Sequence, residues 1–170
     1  MSTADSAVKE VFLGYKLDEK YTPAFHDAFV YAQVLYDAQM YKAAAPIFET
    51  ALTLLPGSHE TDQMTMKRVT TDQAGMAYGM SGDIGKARLI FEKAIAVDPA
   101  YPLYYYNLAC ADAEEEDLTG AQKHLREAFD RKANVLRGER MPDPTKDDSF
   151  LPYRDNKEFW TFLQSLRAEE

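Results

Sequence analysis

The stretch Arg68–Tyr101 constrains this chain more than any other. It reads as two helices, a tight turn and a proline stop. On the first helix Gly75 and Tyr78 stand three apart and share a face. Gly75 lets a neighbouring helix approach the backbone, and Tyr78 fills the space one turn on. Ser81-Gly82-Asp83 interrupts the pattern. Gly82 takes positive φ at low cost, and Asp83 is a good N-cap for the second helix. On that helix Ala87, Phe91 and Ala94 fall at i, i+4 and i+7, which is one helical face. Pro99 lies just past its end.

The same spacing recurs on both sides. From Pro102 onward, Leu108, Ala121 and Ala128 repeat the pattern, with Tyr105, Ala109 and Leu125 as conservative stand-ins. In that copy Asp112 stands where Tyr78 stood, Glu116 replaces Gly82 and Ala133 replaces the proline. Moving back, the run from Phe25 to about Ser58 carries Ala44, Phe48, Ala51 and Pro56 at the matching places, with Ala32 as the small residue. An insertion, 59–67, separates this copy from the central one.

These residues resemble the tetratricopeptide (TPR) repeat, a helix–turn–helix unit of about 34 residues. Gly75, Tyr78, Ala87, Phe91, Ala94 and Pro99 meet its signature, while Thr71 and Ala74 hold the Trp/Leu-type places. The resemblance implies an all-α fold, a TPR-type right-handed α-solenoid of antiparallel helix pairs. Three repeats are expected at 25–58 (with the insertion 59–67), 68–101 and 102–133. An N-terminal arm or capping helix, 1–24, precedes them. An irregular arm, 134–152, and a C-terminal capping helix, 153–170, complete the chain. The ending Met141–Leu166 is similar to the tail seen after TPRs in some bacterial proteins.

Within the flanks, Val8, Val11, Phe12 and Tyr15 fall at i, i+3, i+4 and i+7, as on an amphipathic helix; Gly14 leaves an extended arm open. Helix A of the first repeat is expected from about Ala24 to Gln39. Helix B is expected from about Tyr41 to Leu55, with Pro46 kinking or delaying its start. Ser58 and Thr61 are the candidate caps for an early start of the next helix, which would end at Met80 after about five turns. Asp155, with Glu158 three residues later, is the expected cap of the last helix, whose stripe is Phe159, Trp160, Phe162, Leu163 and Leu166.

A chain of 170 residues with 46% apolar content suits one domain with a real core. The net charge of −9 gives no general attraction to nucleic acid or anionic membrane. One cysteine, Cys110, excludes an internal disulfide. The N-terminus lacks an apolar signal core and no stretch is long enough to span a bilayer. A cytoplasmic setting is expected if the chain is complete; a processed exported fragment would look the same.

Catalytic and metal chemistry find little to work with. His26, His59 and His124 lie in different elements, and no two share ligand spacing on one helix. Asp143-x-Thr145-x-Asp147 starts like a calcium loop but lacks the turn glycine and the closing glutamate. No Gly-rich phosphate loop is present. No catalytic residues, metal or cofactor are therefore expected. Glu114-Glu115-Glu116-Asp117 reads as a solvated turn.

In TPR domains the A helices line a concave groove, so the resemblance implies a binding face by repeat position. The first helix offers His26, Phe29, Val30, Gln33, Tyr36 and Asp37. The second offers Val69, Asp72, Gln73, Met76, Gly79 and Met80. The third offers Leu103, Tyr106, Asn107, Cys110, Ala113 and Glu114. Met suits adaptable contact, Tyr rigid contact, and Gln and Asn pair with a peptide backbone. One TPR subclass clamps acidic chaperone tails with Lys, Asn and Arg. Here the matching places hold Phe29, Gln33, Gln73, Leu103 and Asn107, with no lysine or arginine, so that activity is not expected. The expected function is a protein-interaction module (adaptor, assembly factor or chaperone-like scaffold) that takes a neutral or basic extended segment, or a helix. Two alternatives stand beside it. One is an enzyme accessory domain using His26, Asp37 or Cys110. The other is a homo-oligomer joined through the Tyr101–Tyr106 cluster and Trp160.

Overall fold

The computed structural model describes residues 24–60 and 62–167, so the expectations for 1–23 lie outside the described residues. Seven α-helices make up the described fold, with short 3-10 turns and no strand among the described residues. The chain divides into two compact units, one ending at Ser81 and the other starting at Gly82.

In the first unit, α1 (Phe25–Asp37) and α2 (Tyr41–Leu54) form the first hairpin. Phe25, Ala28, Ala32 and Leu35 are buried on α1, and Ala44, Ala45, Ile47, Phe48 and Ala51 on α2. Small residues at these positions let the two backbones come close. Pro46 sits inside α2 and neither delays nor ends it. The Thr50 hydroxyl donates to the Pro46 carbonyl at 3.0 Å. A 3-10 turn, Leu55–Gly57, leads to α3 (Gln63–Met80), and α2 packs against both α1 and α3. The cap of α3 is Asp62 rather than Ser58 or Thr61. Asp62 Oδ1 accepts from the Thr65 N–H at 3.0 Å and Oδ2 from its hydroxyl at 2.7 Å. The extra residues of the insertion are thus divided between a short loop and the first turn of α3.

In the second unit, α4 (Ile84–Val97) is succeeded by α5 (Pro102–Glu114) and α6 (Leu118–Phe129), with α5 packed against both. Asp83 and Asp117 cap α4 and α6 through the N–H groups of Lys86 (3.2 Å) and Gly120 (2.9 Å). An arm of 3-10 turns, Lys132–Asn134, Pro144–Lys146 and Leu151–Tyr153, runs on to α7 (Lys157–Arg167). α7 starts one residue off the expected cap: Asn156 Oδ1, not Asp155, accepts from the Phe159 N–H at 3.1 Å. Phe159, Leu163 and Leu166 join Tyr105, Tyr106, Leu125 and Phe129 in one core with Phe150 of the arm. Covered by α4, α6 and the arm, α5 is buried nearly all round. Tyr101, Tyr104, Tyr105 and Tyr106 are all buried, which corrects their reading as an oligomer contact. Trp160 is half-buried, with the Arg154 guanidinium 5.5 Å from its ring centre.

The three inter-helix turns share one backbone device. Gln39 (φ 59), Gly82 (φ 86) and Glu116 (φ 64) all adopt positive φ at matching repeat positions. At the first and third turns a Schellman motif closes the helix. Met40 N–H donates to Leu35 C=O and Gln39 N–H to Tyr36 C=O, both at 2.8 Å, and Asp117 and Glu116 donate to Asp112 and Ala113 at 2.8 and 3.0 Å. Only glycine enters this region freely, and an ordinary side chain costs ~1–2 kcal/mol there. Glu116→Gly is therefore expected to stabilise the second unit by up to ~1 kcal/mol, after the entropy glycine adds to the unfolded chain. The urea midpoint should rise with unchanged slope; a lower midpoint would show that the Glu116 side chain contributes more than its backbone strain costs.

Candidate partner-binding face

The binding face expected from the A helices is best described within each unit. In the first, α1 and α3 are joined by a short amide ladder. Gln73 Nε2 donates to Gln33 Oε1 at 2.5 Å, and Gln33 Nε2 donates to Asp37 Oδ1 at 2.8 Å. Gln73 Oε1 is buried and has no hydrogen-bond partner among the described residues. Tyr36 sits beside these groups. Burial first, then Tyr41, Asp72 and Asp37, push its hydroxyl up to about 12. Met76 and Met80, one turn apart on α3, are 36% and 59% exposed. His26 is exposed on α1. Phe29 turns inward, 5.7 Å from the Phe25 ring and 6.1 Å from Phe48, so it belongs to the α1–α2 packing.

Sequence reading missed Val34 and Met40, both exposed. Val34 stands four residues after the exposed Val30, a spacing that could have flagged it. A depression of ≈ 350 Å³ lies at the turn end of this face, where Met40, Tyr41 and Lys42 meet Met80.

In the second unit the expected face is covered. Tyr106 is 1% exposed; its hydroxyl donates to Asp147 Oδ2 at 3.0 Å and its ring meets Phe150 edge-on at 6.1 Å. Cys110 Sγ lies 3.9 Å from Asp147 Oδ1, and the Tyr153 hydroxyl donates to the Ala113 carbonyl at 2.6 Å. The arm thus lies on α5. This corrects the expectation that Tyr106 and Cys110 line an open surface. Asn107 is half-buried and Glu114 exposed. The calcium-like residues serve the arm itself: Asp143 Oδ1 accepts from the Thr145 N–H (3.0 Å), and Asp147 Oδ1 from the Ser149 N–H (3.1 Å). Among the described residues no group of three or more His, Cys, Asp or Glu is arranged to hold a metal ion, and no helix is long and apolar enough to cross a membrane.

Burial, and then the nearby Asp147, raise the Cys110 thiol well above its usual value. Burial, Cys110 and Asp147 raise the Tyr106 hydroxyl in the same direction. Between the unfolded and folded values the native state holds protons that the unfolded state has released, so stability falls as pH rises. It is fully present below about pH 8.5, the unfolded thiol value, and declines above it. Cys110→Ala is expected to remove the first part of this decline, between about pH 8.5 and 10, and to leave the later tyrosine part. Thermal melts across that range would show it; parallel wild-type and variant curves would contradict it.

His26 and Asp37 stand at opposite ends of α1, about 16 Å apart along its axis at 1.5 Å per residue. They do not form a joint catalytic pair. His124, which sequence spacing left isolated, pairs across a turn with Asp112 (Nδ1–Oδ2 2.5 Å).

Residues 72–101 match the family model described as tetratricopeptide repeat. No curated protein matches the chain. Among solved structures, the Sgt2 TPR domain from Aspergillus fumigatus is 18% identical with a TM-score of 0.56, over 87% of this chain and 80% of that one. The Yersinia enterocolitica type III secretion translocator chaperone SycD is 15% identical with a TM-score of 0.56, over 89% and 98%. PcrH from Pseudomonas aeruginosa is 14% identical with a TM-score of 0.56, over 89% and 99%. Residues 72–101 are a tetratricopeptide repeat, and the all-α fold around them is of the TPR-type α-solenoid class.

Proposed function

We propose that this chain is a protein-interaction module of the adaptor or chaperone-like kind, and that it holds a segment of another protein on the α1/α3 face of the first unit. The observation that carries the reading is the placement of Met76 and Met80, exposed beside the Gln33–Gln73 ladder. Two flexible apolar side chains give adaptable contact, and amides one helix apart suit a polypeptide backbone. The acids near Tyr36, Asp37 and Asp72, favour a neutral or basic segment over an acidic one. Phe29, Gln33 and Gln73 carry no positive charge for an acidic tail. The fold shared with a translocator chaperone and an Sgt2 TPR domain supports the class of function. A non-enzymatic role is supported by the distance between His26 and Asp37 and by the half-buried Cys110, whose thiol is held protonated beside Asp147.

The test is capture from source lysate with wild type, a Met76→Glu/Met80→Glu variant, and Leu89→Glu as a control on an exposed apolar residue of the second unit. Met76→Glu alone should weaken the captured partner by ~1–3 kcal/mol, the range for central contact residues, with far-UV circular dichroism unchanged. Equal retention by wild type and the double variant would remove this face from the function.

A further inference from the structure

We propose, on the premise that the α1/α3 face holds a partner, that the partner's segment lies there as the arm lies on α5. It is irregular rather than helical, runs in the direction of α3 and presents a Lys or Arg side chain to Asp72 and Asp37. A large apolar side chain a few residues later rests on Met76 and Met80.

Within the second unit, α5 already holds such a chain. Glu139 accepts from the Tyr101 hydroxyl at the start of α5, at 2.9 and 3.0 Å. Further on, Asp147 accepts from the Tyr106 hydroxyl at 3.0 Å and lies 3.9 Å from Cys110 Sγ. Tyr153 then donates to the Ala113 carbonyl at 2.6 Å. Contacts advance along α5 as the arm advances in sequence, so the two run the same way. The α5 positions recur one repeat earlier on α3, where Tyr106 corresponds to Asp72, Cys110 to Met76 and Ala113 to Gly79.

The chemistry of the occupant follows from what changes between the two helices. Where α5 offers a hydroxyl to the arm's carboxylate, α3 offers the carboxylate of Asp72, and the matching group is a cation. Asp37 stands with Asp72 beside Tyr36, against one cation of the same stretch, Arg68, a turn before Asp72. The amide ladder has the same polarity. Asp37 accepts from Gln33 Nε2, so Gln33 Oε1 faces Gln73 Nε2, and Gln73 Oε1 is left buried without a donor. Both ends of the ladder are therefore acceptors, which suits a side chain rich in N–H groups. Phe150 follows Asp147 by three residues and anchors the arm; on α3 the exposed Met76 and Met80 offer the surface for such a group. The arm of a second copy does not fit here, because Asp147 and Asp148 would meet Asp72 and Asp37.

The probe is a fluorescent synthetic peptide of residues 141–154 carrying Asp147→Lys, beside the unaltered 141–154 peptide, each titrated against the full chain by fluorescence anisotropy. The Asp147→Lys peptide is expected to bind tighter by about ten-fold or more, with the preference fading as salt rises. The preference should shrink several-fold in Asp72→Asn and in Asp37→Asn, on separate helices, and reverse in Asp72→Lys, with far-UV circular dichroism unchanged. Glu92→Gln, which removes an exposed acid of the second unit, should leave it unchanged. No binding of the Asp147→Lys peptide, equal or tighter binding of the unaltered one, or equal effects of Asp72→Asn and Glu92→Gln would each overturn the proposal. Lysate capture that still depends on Met76 and Met80 would then keep the face as the partner site and remove only the chemistry assigned to its occupant, so the two readings fail separately.

Discussion

Asp112→Ala is expected to destabilise the second unit by about 3 kcal/mol, although an aliphatic residue at a buried site usually helps a core. Asp112 is 2% exposed and occupies the place that Tyr78 holds one repeat earlier. Each residue reaches back to the B helix before it. The Tyr78 hydroxyl donates to Glu49 of α2 at 2.6 Å, and Arg88 Nη1 of α4 lies 2.8 Å from Asp112 Oδ1. The carboxylate's other oxygen takes His124 Nδ1 at 2.5 Å. Gly120 makes room for two carboxylates, since a Cβ there would lie 2.5 Å from Asp117 Oδ2 and 3.1 Å from the Asp112 carboxyl carbon.

Removing one member of a buried pair costs ~3–5 kcal/mol, because the partner's charge is left without compensation. The lower end applies here, because Arg88 is 24% exposed and keeps its ion pair with Glu115. Once Asp112 is gone, Arg88→Ala should cost little more, and the double variant should be clearly less destabilised than the sum of the singles. Urea unfolding of the four proteins measures this. Additive losses would mean that the carboxylate acts through something other than Arg88. Asp112 is shielded from water while Arg88 is only partly so, and their coupling should therefore weaken less with salt than that of a fully exposed pair.

The repeat core was legible because its determinants are local and recur. Ala44, Ala87 and Ala121 are all buried at their matched places, and Gly82 and its counterparts all turn left-handed. The Asp112 network was not legible, because its members lie on three helices and no short spacing joins Arg88, Asp112 and His124. Neighbouring acids and amides compete for one cap, which is why Asn156 rather than Asp155 starts α7 and Asp62 rather than Thr61 starts α3. Which side of α3 meets water was legible, because amphipathic spacing separates the exposed Met76 and Met80 from the buried Ala74 and Tyr78. Such spacing misled on α5. The pattern of that helix shows which side leaves its own hairpin, but a distant segment decides whether water reaches that side. Phe150 lies with Leu151 and Tyr153 in an otherwise polar, proline-containing run, and no periodicity announces which of them is fully buried.

Phe150→Ala should therefore have the second large effect, a loss of about 3–5 kcal/mol, as for truncating a buried aromatic. The Phe150 ring lies 6.1 Å from both Tyr106 and Phe159, so it joins the arm to α5 and to α7 together. Its loss should loosen all three as one cooperative piece rather than free the arm alone. Cys110 reports on this directly, because its thiol lies beneath the arm beside Asp147 and its raised pKa slows reaction further. At fixed pH near 8, labelling of Cys110 by a disulfide reagent should accelerate by about 100-fold or more in Phe150→Ala, in step with the stability lost in urea. Faster labelling with unchanged global stability would mean that the arm lifts off by itself and that the α5 face opens in the native state. If labelling and unfolding move together, the α5 face is core, and a partner's contacts fall to Met76, Met80 and the Gln33–Gln73 ladder of the first unit.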